Sequence, residues 1–341
     1  MNNSTSPHIH GAASVQKVML QVLLALVPAI LAHVWFFGPA ILLQILWCSL
    51  LGLSFEAIAL KVRTRPVKQH LSDLSVIVAA TLFALAVPPL LSWWASMIAM
   101  FFVVIVAKHL YGGLGHNIFN PAMVGYIVIL VGFPSQMTLW LAPESVSGHI
   151  ISLAEAFNAI FAGIAPFNLA WDSVTQATPL DLIRTETARN VMLSEVRTSP
   201  VFGDFGGIGW EWIANFYALG GFYLVWKRII SWQIPAAILL TVIVLTTPSF
   251  MMNSDINPSP LQHLFSGGLV LGAFFIATDP VSSCQTTRGK WIFGIGIALL
   301  VLAVRRWGSY PDGVAFAILL MNMAAPIIDR YTRPRIYGEN T

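Results

Sequence analysis

Residues 172–180, Asp-Ser-Val-Thr-Gln-Ala-Thr-Pro-Leu, gather hydroxyls and small side chains in the longest polar interval of a very apolar chain. The hydroxyl of Thr178 can form a phosphoester. That chemistry needs the oxygen on an accessible loop with small neighbours, so that a modifying enzyme can reach it, and Gln176 and Ala177 keep the approach open before Pro179 ends the run. From the residues alone, an Ala-Thr pair carries no signal, and the plain reading is an exposed outer-face turn. Residues 111–122 form a second candidate. Gly112, Gly113 and Gly115 would let backbone N–H groups come close to a ligand, and Asn117 and Asn120 add amide donors and acceptors. The alternative is a tight re-entrant turn whose glycines only permit helix packing.

Three further carboxylates stand out. Asp279 in residues 278–283 and Asp312 in residues 310–313 each lie beside a proline or glycine break at a membrane boundary, where an unpaired charge is costly. Asp312 precedes an apolar run, so helix capping is its expected role. Glu56 lies inside an apolar run, and Lys108 and His109 close another, where a solvated or paired structural role is expected over a proton path.

The elements that must position these residues are membrane helices. Apolar residues make up 57% of the 341 positions and charged residues 10%, with a mean hydropathy of +0.75, far from ordinary globular usage. A span of a ~30 Å hydrocarbon core takes ~20 residues, so ten spans would use about 200 positions and leave little room for a soluble domain. Apolar runs fall at 18–37, 39–60, 74–91, 93–107, 121–141, 208–226, 229–247, 264–277, 291–304 and 312–328. The third, fourth, eighth and ninth are short or interrupted, by Pro88-Pro89 and by Asp279-Pro280. Cys48 and Cys284 are too few and too far apart to hold an iron–sulfur cluster or zinc. No nucleic-acid motif accompanies the net charge of +3. The first apolar run is full length without a small-residue cleavage site, so it is expected to be an anchor.

Alternating the linkers across a bilayer puts 13 of the 18 Lys and Arg residues on one side. By the positive-inside bias that side is the cytoplasm, and it holds both termini. Residues 142–207 are acidic and belong outside; Arg305-Arg306 fits poorly, two basic residues on the wrong face. The third run ends Phe83-Ala84-Leu85-Ala86-Val87-Pro88 and the eighth ends Phe275-Ile276-Ala277-Thr278-Asp279-Pro280, five helices apart. Halves with an odd number of spans sit inverted in the bilayer. The expected fold is therefore all-α and integral to the membrane, with about ten transmembrane helices in two inverted five-helix repeats. The halves are residues 1–141 and 208–341, separated by an outer-face loop of about 65 residues at 142–207.

Several long words in order carry a family resemblance: Leu-Leu-Ala-Leu-Val-Pro at 23–28, Trp-Phe-Phe-Gly at 35–38, residues 111–122, Gln-Ala-Thr-Pro-Leu-Asp at 176–181, residues 272–280, residues 310–317, and Tyr-Thr-Arg-Pro-Arg at 331–335. With these the chain resembles the family of D subunits of Rnf-type ion-translocating electron transport complexes. More distantly it is similar to the B subunit of the sodium-pumping NADH:quinone oxidoreductase. The family's flavin-attachment pattern falls on Asp172, Thr175, Ala177 and Thr178; Ser173 and Gln176 replace its common glycines, and Thr175 its usual serine. The resemblance implies FMN joined to Thr178 by a phosphoester through a flavin transferase, and a non-covalent riboflavin in the helix bundle, for which the turn with Gly112, Gly113, Gly115, Asn117 and Asn120 is the candidate. It implies one component of a redox-driven translocase in the bacterial inner membrane, inactive alone. With sister subunits it would couple electron transfer between NADH and ferredoxin to Na⁺ or H⁺ movement. The alternative is a non-redox inverted-repeat transporter of small solutes, since the family's fold resembles that of urea transporters.

Overall fold

The structure, a computed structural model, describes residues 15–333; the polar amino-terminal stretch and the Pro334-Arg335 end of the last matching word lie outside them. Apolar helices run in the order α1 (Val15–Phe37), α2 (Ala40–Val62), α3 (Ser75–Ala86), α4 (Trp93–Phe101, wound on as a π-helix Phe102–His109) and α5 (Pro121–Gly132). After the long loop come α6 (Trp210–Trp226), α7 (Gln233–Met252), α8 (Leu269–Leu271, continued as the π-helix Gly272–Ile276), α9 (Thr287–Trp307) and α10 (Val314–Thr332). Five of these, α1, α2, α7, α9 and α10, are long and apolar enough to cross a membrane. Among the described residues there is no strand, only two isolated bridges, Leu141 with Thr175 and Phe202 with Gly207.

The short helices end where the chain chemistry stops them. Val87 is extended (φ −107°, ψ 162°) because the residue before a proline avoids the helical region, and α3 stops at Ala86. The run expected to continue from 121 to 141 ends at Gly132 for the same reason, with Phe133 at φ −139° ahead of Pro134. The eighth run is split into Pro260–Phe265 and α8 by Ser266-Gly267-Gly268, where Gly267 sits at φ +71°. Neither α4 nor α9 is broken. The Pro88-Pro89 and Asp279-Pro280 breaks end α3 and α8 alone.

Packing joins elements from the two ends of the chain. α1 lies along α6, α5 against α10, α2 against α3 and α4, and α9 against α7 and α10. The first contact is close enough that a Cβ on Gly220 would stand 2.0 Å from the carbonyl oxygen of Ala25, so a side chain there would force α1 and α6 apart. The buried core includes Phe83, Leu26, Met100, Met123 and Phe293, each 2% exposed or less. Trp35, Trp226, Trp307 and Tyr331 are strongly exposed near helix ends, as side chains at an interface with lipid are.

Candidate functional site

The loop 142–207 is folded onto the helices at the run singled out from the sequence. Thr175 bridges to Leu141, the Gln176 N–H donates to the Trp140 carbonyl at 2.8 Å, and the Thr175 hydroxyl donates to the Trp171 carbonyl at 2.9 Å. These bonds hold the extended segment just before Thr178. Thr178 is the N-cap of the helix Pro179–Ala188, and its Oγ1 accepts the Asp181 N–H at 3.3 Å, with Pro179 at the first helical position, where its missing N–H costs nothing. Asp172 and Ala177 are exposed, and Thr175 and Thr178 are half-buried.

Thr178 stands on the wall of a cavity of about 130 Å³ between the two halves of the chain. Trp140 and Trp210 meet edge to face at its rim, ring centroids 5.2 Å apart, and Tyr126, Tyr217, Met123 and Leu271 line it deeper in. At its far end lie Ala86, from the end of α3, and Ile276, from the end of α8. The two interrupted helices thus close one cavity. Ser266, Gly267 and Gly268 form another wall, and the Ser266 hydroxyl is buried with no hydrogen-bond partner.

Asp312 is on the same wall and does not cap α10, whose N-cap is Gly313 without a side-chain bond. Its Oδ1 accepts from Arg305 Nε and Nη2 at 3.2 and 3.1 Å, and its Oδ2 accepts the Gly268 N–H at 2.8 Å. The Arg305 side chain is 3% exposed and also donates to the carbonyls of His263 and Ser266. A guanidinium buried that deeply needs a counter-charge, and this demand outweighs the capping preference.

A second cavity, about 140 Å³, lies at the carboxy-terminal ends of α4 and α8. Lys108, Asn117, Asn120 and Asp279 give it polar groups, and Val22, Val78 and Phe274 are among its apolar walls. The turn that feeds it has Gly112, Gly113 and Gly115 at φ +131°, +105° and +85°. The N–H groups of Gly112 and Gly113 are taken by the carbonyls of His109 and Lys108, at 3.2 and 3.0 Å. Gly113 is buried beside Arg63 and Arg65, and no atom would lie within 4 Å of a Cβ on exposed Gly115. The turn therefore offers the cavity Leu114 and the two asparagines; none of its three glycines lines it.

The layer between the cavities is thin. Met123 and Ile276 line the first, and Asn120, Ala122, Phe275 and Thr278 line the second. Asparagine side chains tie that layer together. Asn120 donates from Nδ2 to the Ile276 carbonyl (3.3 Å), from its N–H to Asn322 Oδ1 (3.0 Å), and accepts the Met123 N–H as the cap of α5 (3.3 Å). Asn322 Nδ2 donates to the Ser282 carbonyl at 3.0 Å, and Asn117 Nδ2 to Asp279 Oδ2 at 3.3 Å. Beside the second cavity, Glu56 is 2% exposed and accepts from Lys108 Nζ on one oxygen and bonds His109 Nε2 on the other, both at 2.8 Å. The paired role expected for Lys108 and His109 is the one found.

Sequence reasoning missed Trp140, Trp210, Tyr126 and Tyr217, because scattered aromatics carry no spacing signal. It also missed Ser266 and Asn322. The Gly267-Gly268 doublet inside an apolar run was the one available sign of that wall.

Comparison with known proteins agrees along the whole chain. A relative from Aeromonas hydrophila, named as the D subunit of an ion-translocating oxidoreductase complex, is 45% identical over 99% of this chain and 98% of its own length. Relatives of the same name from Vibrio cholerae and Escherichia coli O81 are 44% and 43% identical, each over 98% of this chain, and over 98% and 97% of their own lengths. The model of the NQR2, RnfD, RnfE family matches residues 2–338, the stretch that holds the Thr178 segment, both cavities and the asparagine layer between them, and the chain belongs to that family.

Proposed function

We propose that this chain is the electron-carrying membrane component of an ion-translocating oxidoreductase complex, with FMN joined to Thr178 by a phosphoester and its ring in the cavity beside that residue. The observation that carries this is the position of Thr178, marked by the pattern at Asp172, Thr175 and Ala177, on the wall of an apolar, aromatic-rimmed cavity. The names of the relatives supply the class of complex.

The residues fit the group. Trp140, Trp210, Tyr126 and Tyr217 suit a flat ring, the Ser266 hydroxyl is a buried donor in want of an acceptor, and a Cβ on Gly267 would stand 2.4 Å from Asp312 Oδ2 and crowd that wall. At about 130 Å³ the cavity is smaller than the ~300 to 1,000 Å³ of ordinary ligand sites, so seating a whole ring requires lining side chains to move. A phosphate on Thr178 would lie at the N-terminus of Pro179–Ala188, where the helix dipole favours an anion, with Asp181 in the first turn offsetting part of this.

A bound flavin supplies one- and two-electron redox chemistry, which suits a chain of carriers. This chain's own residues do the rest. The aromatic walls exclude water, and the bonds from Arg305 and Gly268 neutralise Asp312, so that its carboxylate does not oppose a gain of negative charge in the cavity. The second cavity is the place we assign to a non-covalent riboflavin, with Asn117, Asn120 and Lys108 as its polar partners.

The same proposal includes ten spans in two inverted halves, 1–141 and 208–341, with 142–207 on the outer face of a bacterial inner membrane and both termini in the cytoplasm. The contacts of α1 with α6 and of α5 with α10, and the shared cavity at the ends of α3 and α8, support it. A flavin transferase makes the ester. Sister subunits oxidise NADH and carry the iron–sulfur centres toward ferredoxin, and the assembly moves Na⁺ or H⁺. In-gel flavin fluorescence of the denatured protein tests the redox reading: a fluorescent band is expected, and a dark band from cells competent in flavin attachment would favour a non-redox transporter.

A further inference from the structure

Arg305-Arg306, the pair that fits the charge distribution poorly, ends α9 on the face that carries the 142–207 loop. Arg305 is fully engaged by Asp312 and two carbonyls. Arg306 is not. Its Nη1 reaches only the neutral Asn257 side chain, at 3.0 Å, and its guanidinium carbon lies 6.0 Å from the Trp307 ring, which is 79% exposed.

Between this corner and the helix Pro179–Ala188 opens a cavity of about 960 Å³, separate from the two described above. Its polar end holds Arg184, Thr187, Asn257, His263 and Arg306, and among the described residues no acidic side chain lines it. Among the described residues Arg184 makes no ion pair or hydrogen bond through its side chain. The Thr187 hydroxyl and His263 Nδ1 are buried without a partner. Two uncompensated guanidiniums and two orphaned polar atoms in one concavity form the lining of an anion site that lacks its anion. Its other end is apolar, with Leu245 of α7 and Leu299 of α9, 42% and 49% exposed on two helices long enough to cross a membrane. A soluble anion would use only the polar end. A molecule that fills both is an amphiphile with a negatively charged head.

We propose that this cavity binds an anionic glycerophospholipid of the adjoining leaflet. Its phosphate lies with Arg184 and Arg306, its glycerol end takes the Thr187 and His263 groups, and an acyl chain follows Leu245, Leu299 and Leu302. Trp307 marks the headgroup level at the end of α9. The site accounts for Arg184 and Arg306, two of the five basic residues on the face that carries fewer of them, and it does not depend on flavin at Thr178.

The test reconstitutes the full chain in vesicles of phosphatidylcholine with a minor share of phosphatidylglycerol, re-isolates it in detergent and measures the bound lipids by mass spectrometry. Wild type should retain phosphatidylglycerol well above its bulk share. Arg184→Gln and Arg306→Gln should each lower that enrichment roughly five-fold, and the double variant should bring it to the bulk ratio. Leu299→Trp, which fills the apolar end on an exposed helix face and leaves both arginines, should also lower retention. Bulk composition on wild type, as expected if an acidic protein segment is the true occupant, would overturn the proposal. So would undiminished enrichment in both the double variant and Leu299→Trp, or displacement of the lipid by inorganic phosphate at equal concentration.

Discussion

The side-chain amide of Asn120 donates to the carbonyl of Ile276 at 3.3 Å, and this bond crosses the layer that separates the two cavities. Ile276 faces the cavity of Thr178, and Asn120 faces the one beside Lys108. The two proposed flavin sites therefore share a wall only a few residues thick, made from the start of α5 and the end of α8.

Asn322 secures that wall from α10, and it is 2% exposed. Asn322→Leu leaves the Asn120 N–H and the Ser282 carbonyl buried without partners. The expected cost is about 1–3 kcal/mol for each group so stranded, read as a lower midpoint in thermal denaturation followed by tryptophan fluorescence. An unchanged midpoint would show that these bonds do not hold the wall.

Much of this architecture was legible in advance, and the reasons are physical. The residue before a proline is pushed out of the helical region, so Pro88-Pro89 announced the end of α3, although Pro28, Pro248 and Pro326 are carried inside α1, α7 and α10, and the apolar runs announced the helices. The end of α5 was misplaced by the length of an apolar run that continues past Pro134. Thr178 was legible only through its neighbours, since a threonine beside an alanine has no signature of its own. The cavity it faces was not legible at all, because Trp140, Trp210 and Ser266 come from distant parts of the chain and converge only in the fold. Asp312 was misjudged because local sequence shows a helix start, whereas Arg305, brought in by α9, supplies the stronger claim on its charge.

Glu56 binds Lys108 and His109 with separate oxygens at 2.8 Å, almost fully buried. Glu56→Ala should destabilise the fold by about 3–5 kcal/mol, because it strands a buried ammonium. Glu56→Leu combined with Lys108→Met should recover most of that loss. Denaturant titration of the single and double variants checks this, and equal instability of the two would contradict the ion-pair account.

The loop carries its own acid sensitivity. The Glu155 carboxylate accepts the Ser152 hydroxyl and N–H at 2.7 and 2.9 Å and the Phe167 N–H at 3.3 Å, and the Ser152 bonds chiefly hold its pKa below the ordinary 4.5. A depressed carboxylate contributes order that is fully present above its unfolded value and is lost as pH falls through its folded one. Proteolytic protection of residues 152–167 should therefore be flat at neutral pH and decline below about 4.5, with that decline abolished in Glu155→Gln. A wild-type profile identical to that of Glu155→Gln would refute the assignment.

The central claim rests on one oxygen atom, Thr178 Oγ1, and intact-mass measurement addresses it directly. Protein produced together with a flavin transferase should carry the added mass of one esterified FMN. Thr178→Ala should show the bare chain mass with unchanged helical circular dichroism, since the residue caps a surface helix outside the apolar bundle. FMN mass retained on Thr178→Ala, or a wild-type chain bare of flavin when co-produced with the transferase, would contradict the account.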